Sequence, residues 1–321
     1  MRTHERWIWT ELIGFDVTRP DHGVQQYLDD AGFVPEVICL LLASPDFVLS
    51  HQDRDDEFDL PPDVCSRDGH ELGRRRQRQV WTNRQLQALI ADLQARGVKV
   101  FLTVFTRWYG DQHHPEWLGE HPELFMVFRS LGVAHALNAL ARLSDGTYFE
   151  DIWVRKLVQT LEYYGFDGWQ GADGWGPLNG PLFEVDFSDD KIAQFGDYCR
   201  AGACTPPTGA CTPPTGACTP PTGACAPPGI SSAERLGGVQ APALQLPEVV
   251  TQPCGHDPER LTPRADWVWR HARQEWIGFW ADRWAGFWTK VTAALHAAGK
   301  QAVINSAWGR APFEALYRYG V

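Results

Sequence analysis

The chain has 321 residues, 44% of them hydrophobic, with 15 tryptophans and a formal net charge of −11. That length and apolar content allow one large core or two smaller ones. The negative balance excludes a nucleic-acid surface, which needs clustered Lys and Arg; the one basic run, Arg74 to Arg76 with Arg78, reads as a solvated loop.

Residues Trp7 to Val17 read as a first strand, Gly23 to Gly32 as a short helix and Glu36 to Leu42 as a strand buried on both faces. A long polar loop, Ser50 to Gln79, precedes a helix from an N-cap at Thr82 to Arg96, closed by Gly97. Lys99 to Thr106 is a third strand. An irregular, His-rich loop then leads to a helix from Phe149 to Tyr164 that stops at Gly165, followed by a fourth strand, Phe166 to Asp173. A long helix from about Pro263 to Ala298 precedes a fifth strand, Gln301 to Ala307.

Between the fourth strand and the long helix, Thr-Gly-Ala-Cys-Thr-Pro-Pro recurs with a period of seven from about Gly202 to Pro228. Paired prolines forbid helix and sheet, so this Pro/Cys repeat is expected to be a disordered insertion in a βα loop. The repeat holds Cys204, Cys211, Cys218 and Cys225. The other cysteines, Cys39, Cys65, Cys199 and Cys254, form no C-x-x-C pair, so neither a zinc ribbon nor a redox site is read from them.

Alternating strands and helices predict an α/β fold with a parallel sheet wrapped by helices, and we expect a (β/α)8 TIM-barrel-like architecture. Such barrels use eight strands and about 250 residues. Five strands are found, so the barrel is expected to be incomplete at the C-terminus. Residues 1–199 would form its first part, 200–262 a low-complexity insertion and 263–321 its continuation. The N-terminal residues lack the apolar stretch of a secretory signal and no apolar run is long enough for a bilayer, which predicts a cytoplasmic location and no membrane partner.

In such barrels the chemistry sits at the C-terminal ends of the strands. The fourth strand ends in Gly-Phe-Asp-Gly-Trp-Gln-Gly-Ala-Asp-Gly-Trp, residues 165–175, and places Asp173 at the rim among glycines and beside Trp175. Asp167 opens the same strand and reads as a structural carboxylate. The third strand ends with Arg107, Trp108, Tyr109 and Asp111, a set that suits hydroxyl binding and ring stacking. Asp16, near the end of the first strand, and Asn305 with Trp308, after the fifth, are further candidate substrate contacts. Adjacent histidines such as His113 and His114 rarely converge on one ion, so no metal and no cofactor are expected.

The run from Gly165 to Asp173 resembles the fourth-strand motif of retaining glycoside hydrolases, most closely that of family 66, the dextranases and cycloisomaltooligosaccharide glucanotransferases. The match covers little more than a dozen residues, with Ala172 inserted between Trp169 and the aspartate relative to the family pattern. The resemblance implies a TIM barrel, Asp173 as nucleophile and a general acid on a later strand. The expected function is that of a retaining glycoside hydrolase or transglycosylase acting on an α-glucan-like carbohydrate. The alternative is a non-catalytic carbohydrate-binding or inactive truncated barrel.

Overall fold

The computed structural model describes residues 5–42, 45–66, 76–106, 116–130, 132–172, 175, 182–201 and 244–304. The first strand, β1 (Trp7–Glu11), passes through a 3-10 turn, Leu12–Gly14, toward α1 (Val24–Ala31). Gly23 and Gly32 bracket that helix in the left-handed region, at φ 77° and 72°, where a side chain would cost backbone strain. All five residues of β2 (Val37–Leu41) are buried. Two short helices, α2 (Asp46–Leu49) and α3 (Pro62–Cys65), interrupt the polar loop that follows. A capping box starts α4 (Asn83–Ala95): Thr82 Oγ1 accepts from the Gln85 N–H, and the Gln85 side chain accepts from the Thr82 N–H.

After β3 (Lys99–Val104) and α5 (Glu116–Gly119), the chain forms an antiparallel hairpin of β4 (Phe125–Phe128) and β5 (Gly132–Leu137). The sequence reading expects an irregular loop here. The hairpin replaces it because Gly132, at φ 71°, allows the turn, and Met126 and Val127 are buried. The remaining elements are α6 (Phe149–Tyr164), β6 (Gly168–Gly171), α7 (Asp189–Arg200), α8 (Glu248–Thr251), α9 (Pro258–His271), α10 (Arg273–Ala297) and β7 (Gln301–Ile304).

The fold is α/β. Its parallel sheet has five strands in the order β1-β2-β3-β6-β7, so spatial order repeats chain order. Successive residues of a strand point to opposite faces, and the two faces differ. Ile38, Leu40, Val100, Leu102, Val104 and Trp169 join the helices in the main core. On the other face, Val37, Cys39 and Phe101 pack with Val303, and Leu41 packs with Phe105 and Ala172, in two small clusters of strand and strand-end residues.

Side chains on this second face reach across intervening strands. Trp7 and Trp9 of β1 pack edge-on against Phe101 and Phe105, with centroids 5.4 and 5.3 Å apart. Trp9 Nε1 donates to Oε1 of Gln170, on the third strand over, at 2.7 Å. In a flat sheet, third-neighbour strands lie about 14 Å apart. These contacts fit a sheet that curves toward this second face, on which the described clusters hold only strand and strand-end residues.

On the helix-covered face, α10 presents Trp276, Trp280, Trp284 and Trp288 at four-residue spacing, all buried. Each such ring removes about 150–250 Å² from water, roughly 4–6 kcal/mol before conformational entropy is counted. Two boundaries differ from the sequence reading. Residues 244–262, expected within the insertion, form α8 and the start of α9, held by Val250 and Leu261 in the core. The single long helix expected from Pro263 is two helices that break at Ala272, where φ is −138°. The Pro/Cys repeat lies outside the described residues.

Candidate functional site

The C-terminal ends of β1 and β2 carry two cavities, one on each side of α3. Beyond β1, the 3-10 turn leads to Asp16. Its Oδ1 accepts from the Thr18 N–H at 3.0 Å, the Thr18 hydroxyl at 2.7 Å and Gln79 Nε2 at 2.9 Å. Those hydrogen bonds, Gln79's first among them, hold the Asp16 carboxyl down at about 2, so it is ionised at neutral pH. Gln79 also accepts from the Val17 N–H through its Oε1 at 3.1 Å, which ties the far end of the polar loop to the end of β1. Asp16 lines a cleft of about 570 Å³ with Arg19, Arg76 and Tyr27.

Beyond β2, a cavity of about 420 Å³ is lined by Asp46, His51, Asp63, Phe47, Phe58 and Tyr164. Asp46 and Asp63 are 3% and 5% exposed and His51 is 6% exposed. The His51 ring packs against Tyr163 and Tyr164, its Nε2 lies 3.1 Å from Asp53 Oδ1, and its carbonyl accepts from Lys156 Nζ at 2.6 Å. Burial pushes the imidazole below its ordinary range, the Asp53 contact opposing this only in part, so His51 is neutral at pH 7. This cavity brings buried carboxylates and aromatic walls together. The sequence reading passes over it as a polar loop. Its signal was the pair of Pro-Asp steps, Pro45-Asp46 and Pro62-Asp63, each opening a short helix whose next residues are apolar.

Of the sequence-selected residues, the structure describes Asp16 and Trp175. Trp175, expected as a rim contact, is instead fully buried and cannot offer a free face to a sugar. Its Nε1 donates to the Val104 carbonyl at 2.8 Å, its ring stacks on Trp153 at 4.2 Å, and its carbonyl accepts from Trp288 Nε1 at 3.0 Å. Trp175 belongs to the main core with the helices, whereas Ala172 packs with Leu41 and Phe105 on the other face of the sheet. Asp173, Arg107, Trp108, Tyr109, Asp111, Asn305 and Trp308 lie outside the described residues. Asp167 is structural: its Oδ2 accepts from the Val100 N–H at 2.8 Å and from Gln94 Nε2 at 3.0 Å.

A second polar group, between β6 and α7, is an internal brace. Asp186 is fully buried and accepts from the Val127 and Ser188 N–H groups and from Asn138 Nδ2. Lys191, also fully buried, donates to the Leu140 carbonyl at 2.7 Å, and Arg283 grips Glu150 through both terminal nitrogens at 3.2 and 3.0 Å. Among the described residues, no three His, Cys, Asp or Glu side chains are grouped so that they could hold a metal ion. No helix among them is long and apolar enough to cross a membrane. No known family model matches the chain, and no curated protein is detectably similar to it.

Proposed function

We propose that the five-stranded sheet is the front part of a (β/α)8 barrel and that the protein is a retaining glycoside hydrolase or transglycosylase acting on an α-glucan-like carbohydrate. The observation that supports this reading is the hydrogen bond from Trp9 to Gln170 across two intervening strands, a contact that the curvature of a barrel wall would bring about. A barrel puts its chemistry at the strand ends. There, two cavities with polar and aromatic linings stand beyond β1 and β2, and the strand that carries the glycosidase-like motif ends two residues before Asp173.

In this reading Asp173 attacks the anomeric carbon as the glycosidic bond breaks, the leaving oxygen takes a proton from a general acid on a later strand, and water or an acceptor sugar then displaces Asp173 from the covalent glycosyl ester. Asp16 orients the substrate from β1. Arg107, Trp108, Tyr109 and Asp111 do so from the loop after β3, and Asn305 and Trp308 from beyond β7.

A fluorinated glycosyl inhibitor that traps the ester tests the assignment directly. Labelling of a peptide containing Asp173, lost in Asp173→Asn together with release of reducing sugar, supports it. Labelling of another carboxylate moves the nucleophile. Saccharide affinity without turnover in the unaltered chain replaces the enzyme with a carbohydrate-binding barrel.

A further inference from the structure

The cavity of about 420 Å³ beyond β2 is bordered by two polar side chains that are only 6% and 3% exposed, His51 and Tyr164, with ring centroids 5.5 Å apart. Asp53 fixes the state of the imidazole. Its Oδ2 accepts from Gln159 Nε2 at 3.0 Å and its Oδ1 lies 3.1 Å from His51 Nε2; these contacts, Gln159's first, hold the Asp53 carboxyl below its ordinary range. An ionised carboxylate only accepts, so in the neutral ring Nε2 carries the hydrogen and Nδ1 keeps a lone pair. Tyr164 is the opposite case: burial pushes its phenol up, so the hydroxyl keeps its proton and can donate.

Among the described residues, none hydrogen-bonds to His51 Nδ1 or to the Tyr164 hydroxyl. A polar atom in such a buried setting costs free energy unless the adjoining space satisfies it. Neither atom is sealed in by packing, so the space they meet is the cavity that both residues line. The acceptor is also held rigid. Lys156, Gln159 and Tyr163 recur at spacings of three and four on one face of α6. They grip the His51 carbonyl at 2.6 Å, the Asp53 carboxylate and the Arg54 carbonyl at 2.8 Å. A fixed acceptor beside a donor, between the apolar walls of Phe47 and Phe58, matches neighbouring hydroxyls on a compact ring.

We propose that this cavity binds one sugar residue through two neighbouring hydroxyls, the first donating to His51 Nδ1 and the second accepting from the Tyr164 hydroxyl. The sugar as occupant rests on the glycoside hydrolase reading; the paired acceptor and donor rest on the cavity alone.

Titration calorimetry of the full chain with isomaltotriose and with phenol tests it. The expected result is that isomaltotriose binds, that phenol binds more weakly, and that His51→Phe and Tyr164→Phe each weaken isomaltotriose about tenfold. Tyr164→Phe removes one oxygen and leaves the ring against Phe47 and Phe166, so it keeps the test readable if His51→Phe misfolds. Unchanged isomaltotriose affinity in folded Tyr164→Phe overturns the proposal and leaves a saccharide site elsewhere, as at Asp173, intact. Phenol binding as tightly as isomaltotriose, with the same dependence on His51 and Tyr164, overturns the sugar as occupant. Binding of neither probe by the unaltered chain, the cavity then holding water alone, overturns the whole proposal. None of these arms involves turnover, so a failed assignment of Asp173 leaves them unaffected.

Discussion

Trp9 donates its indole N–H to Oε1 of Gln170 at 2.7 Å, across 161 residues of chain and two strands of the sheet. Thr103 Oγ1 donates to the same oxygen at 2.9 Å, which fixes the amide from both sides. A double-mutant cycle with Trp9→Phe and Gln170→Leu, followed by urea unfolding, is expected to give a coupling of about 1 kcal/mol. Additive effects would mean that the bond does not persist in solution and that the curvature needs another cause.

Asp16 links acid stability to the β1 cleft. Its carboxyl titrates at about 2 in the folded protein against 3.8 as the ordinary value. Because that value is depressed, its stabilisation is fully present above the unfolded value and fades as pH falls from about 3.8 to about 2. With a side chain about one third exposed, solvent screening leaves roughly 1 kcal/mol at pH 7. Asp16→Asn is expected to lose that amount at neutral pH and to show a flatter stability curve between pH 4 and 2 in thermal melts.

Lys191 carries a buried charge that faces Asp186 and Asp190, and burial lowers its ammonium to about 8. Lys191→Met removes the compensating cation while leaving Asp186 in a fully buried setting. A loss of about 3 kcal/mol or more in chemical denaturation is expected. A neutral or stabilising result would show that the brace sets geometry rather than stability.

Gly168 is required by the pairing of β6 with β7. A Cβ there would lie 2.4 Å from the carbonyl oxygen of Gln301, which is backbone and cannot swing aside. Gly168→Ala is therefore expected to separate the two strands and cost about 3 kcal/mol, beyond the range of ordinary surface changes. Gly171→Ala would be milder, since its nearest contact is the Trp288 ring at 2.7 Å, a side chain rather than backbone, although one held by its bond to the Trp175 carbonyl. Circular dichroism melts of the two variants should rank them in that order.

Much of the scaffold was legible because its signals are local. The stop at Gly165, in the left-handed region at φ 80°, and the Thr82 cap can be read from a few neighbouring residues, as can the apolar run of β2. The hairpin was missed because Phe125–Phe128 is apolar throughout and shows no alternation. Residues 244–262 were taken with the repeat on composition, although Val250 and Leu261 are core residues. Trp175 was misread because motif position cannot tell which way the chain turns after a strand ends. For Asp46 and Asp63 the Pro-Asp steps mark where two short helices begin, but not that both carboxylates end up buried, which depends on contacts distant in sequence.

Because each new strand lies beside the one before it in the sheet, no strand has to be inserted between two already paired. β1, β2, β3 and β6 can dock in the order in which a ribosome delivers them, each helix sealing its own strand. No step then requires a formed pair of strands to open. The exposed indoles of Trp7 and Trp9, at 39% and 44%, sit on the first strand of that series and wait longest for whatever covers them. During synthesis, that edge is where premature association would start and where a chaperone would bind.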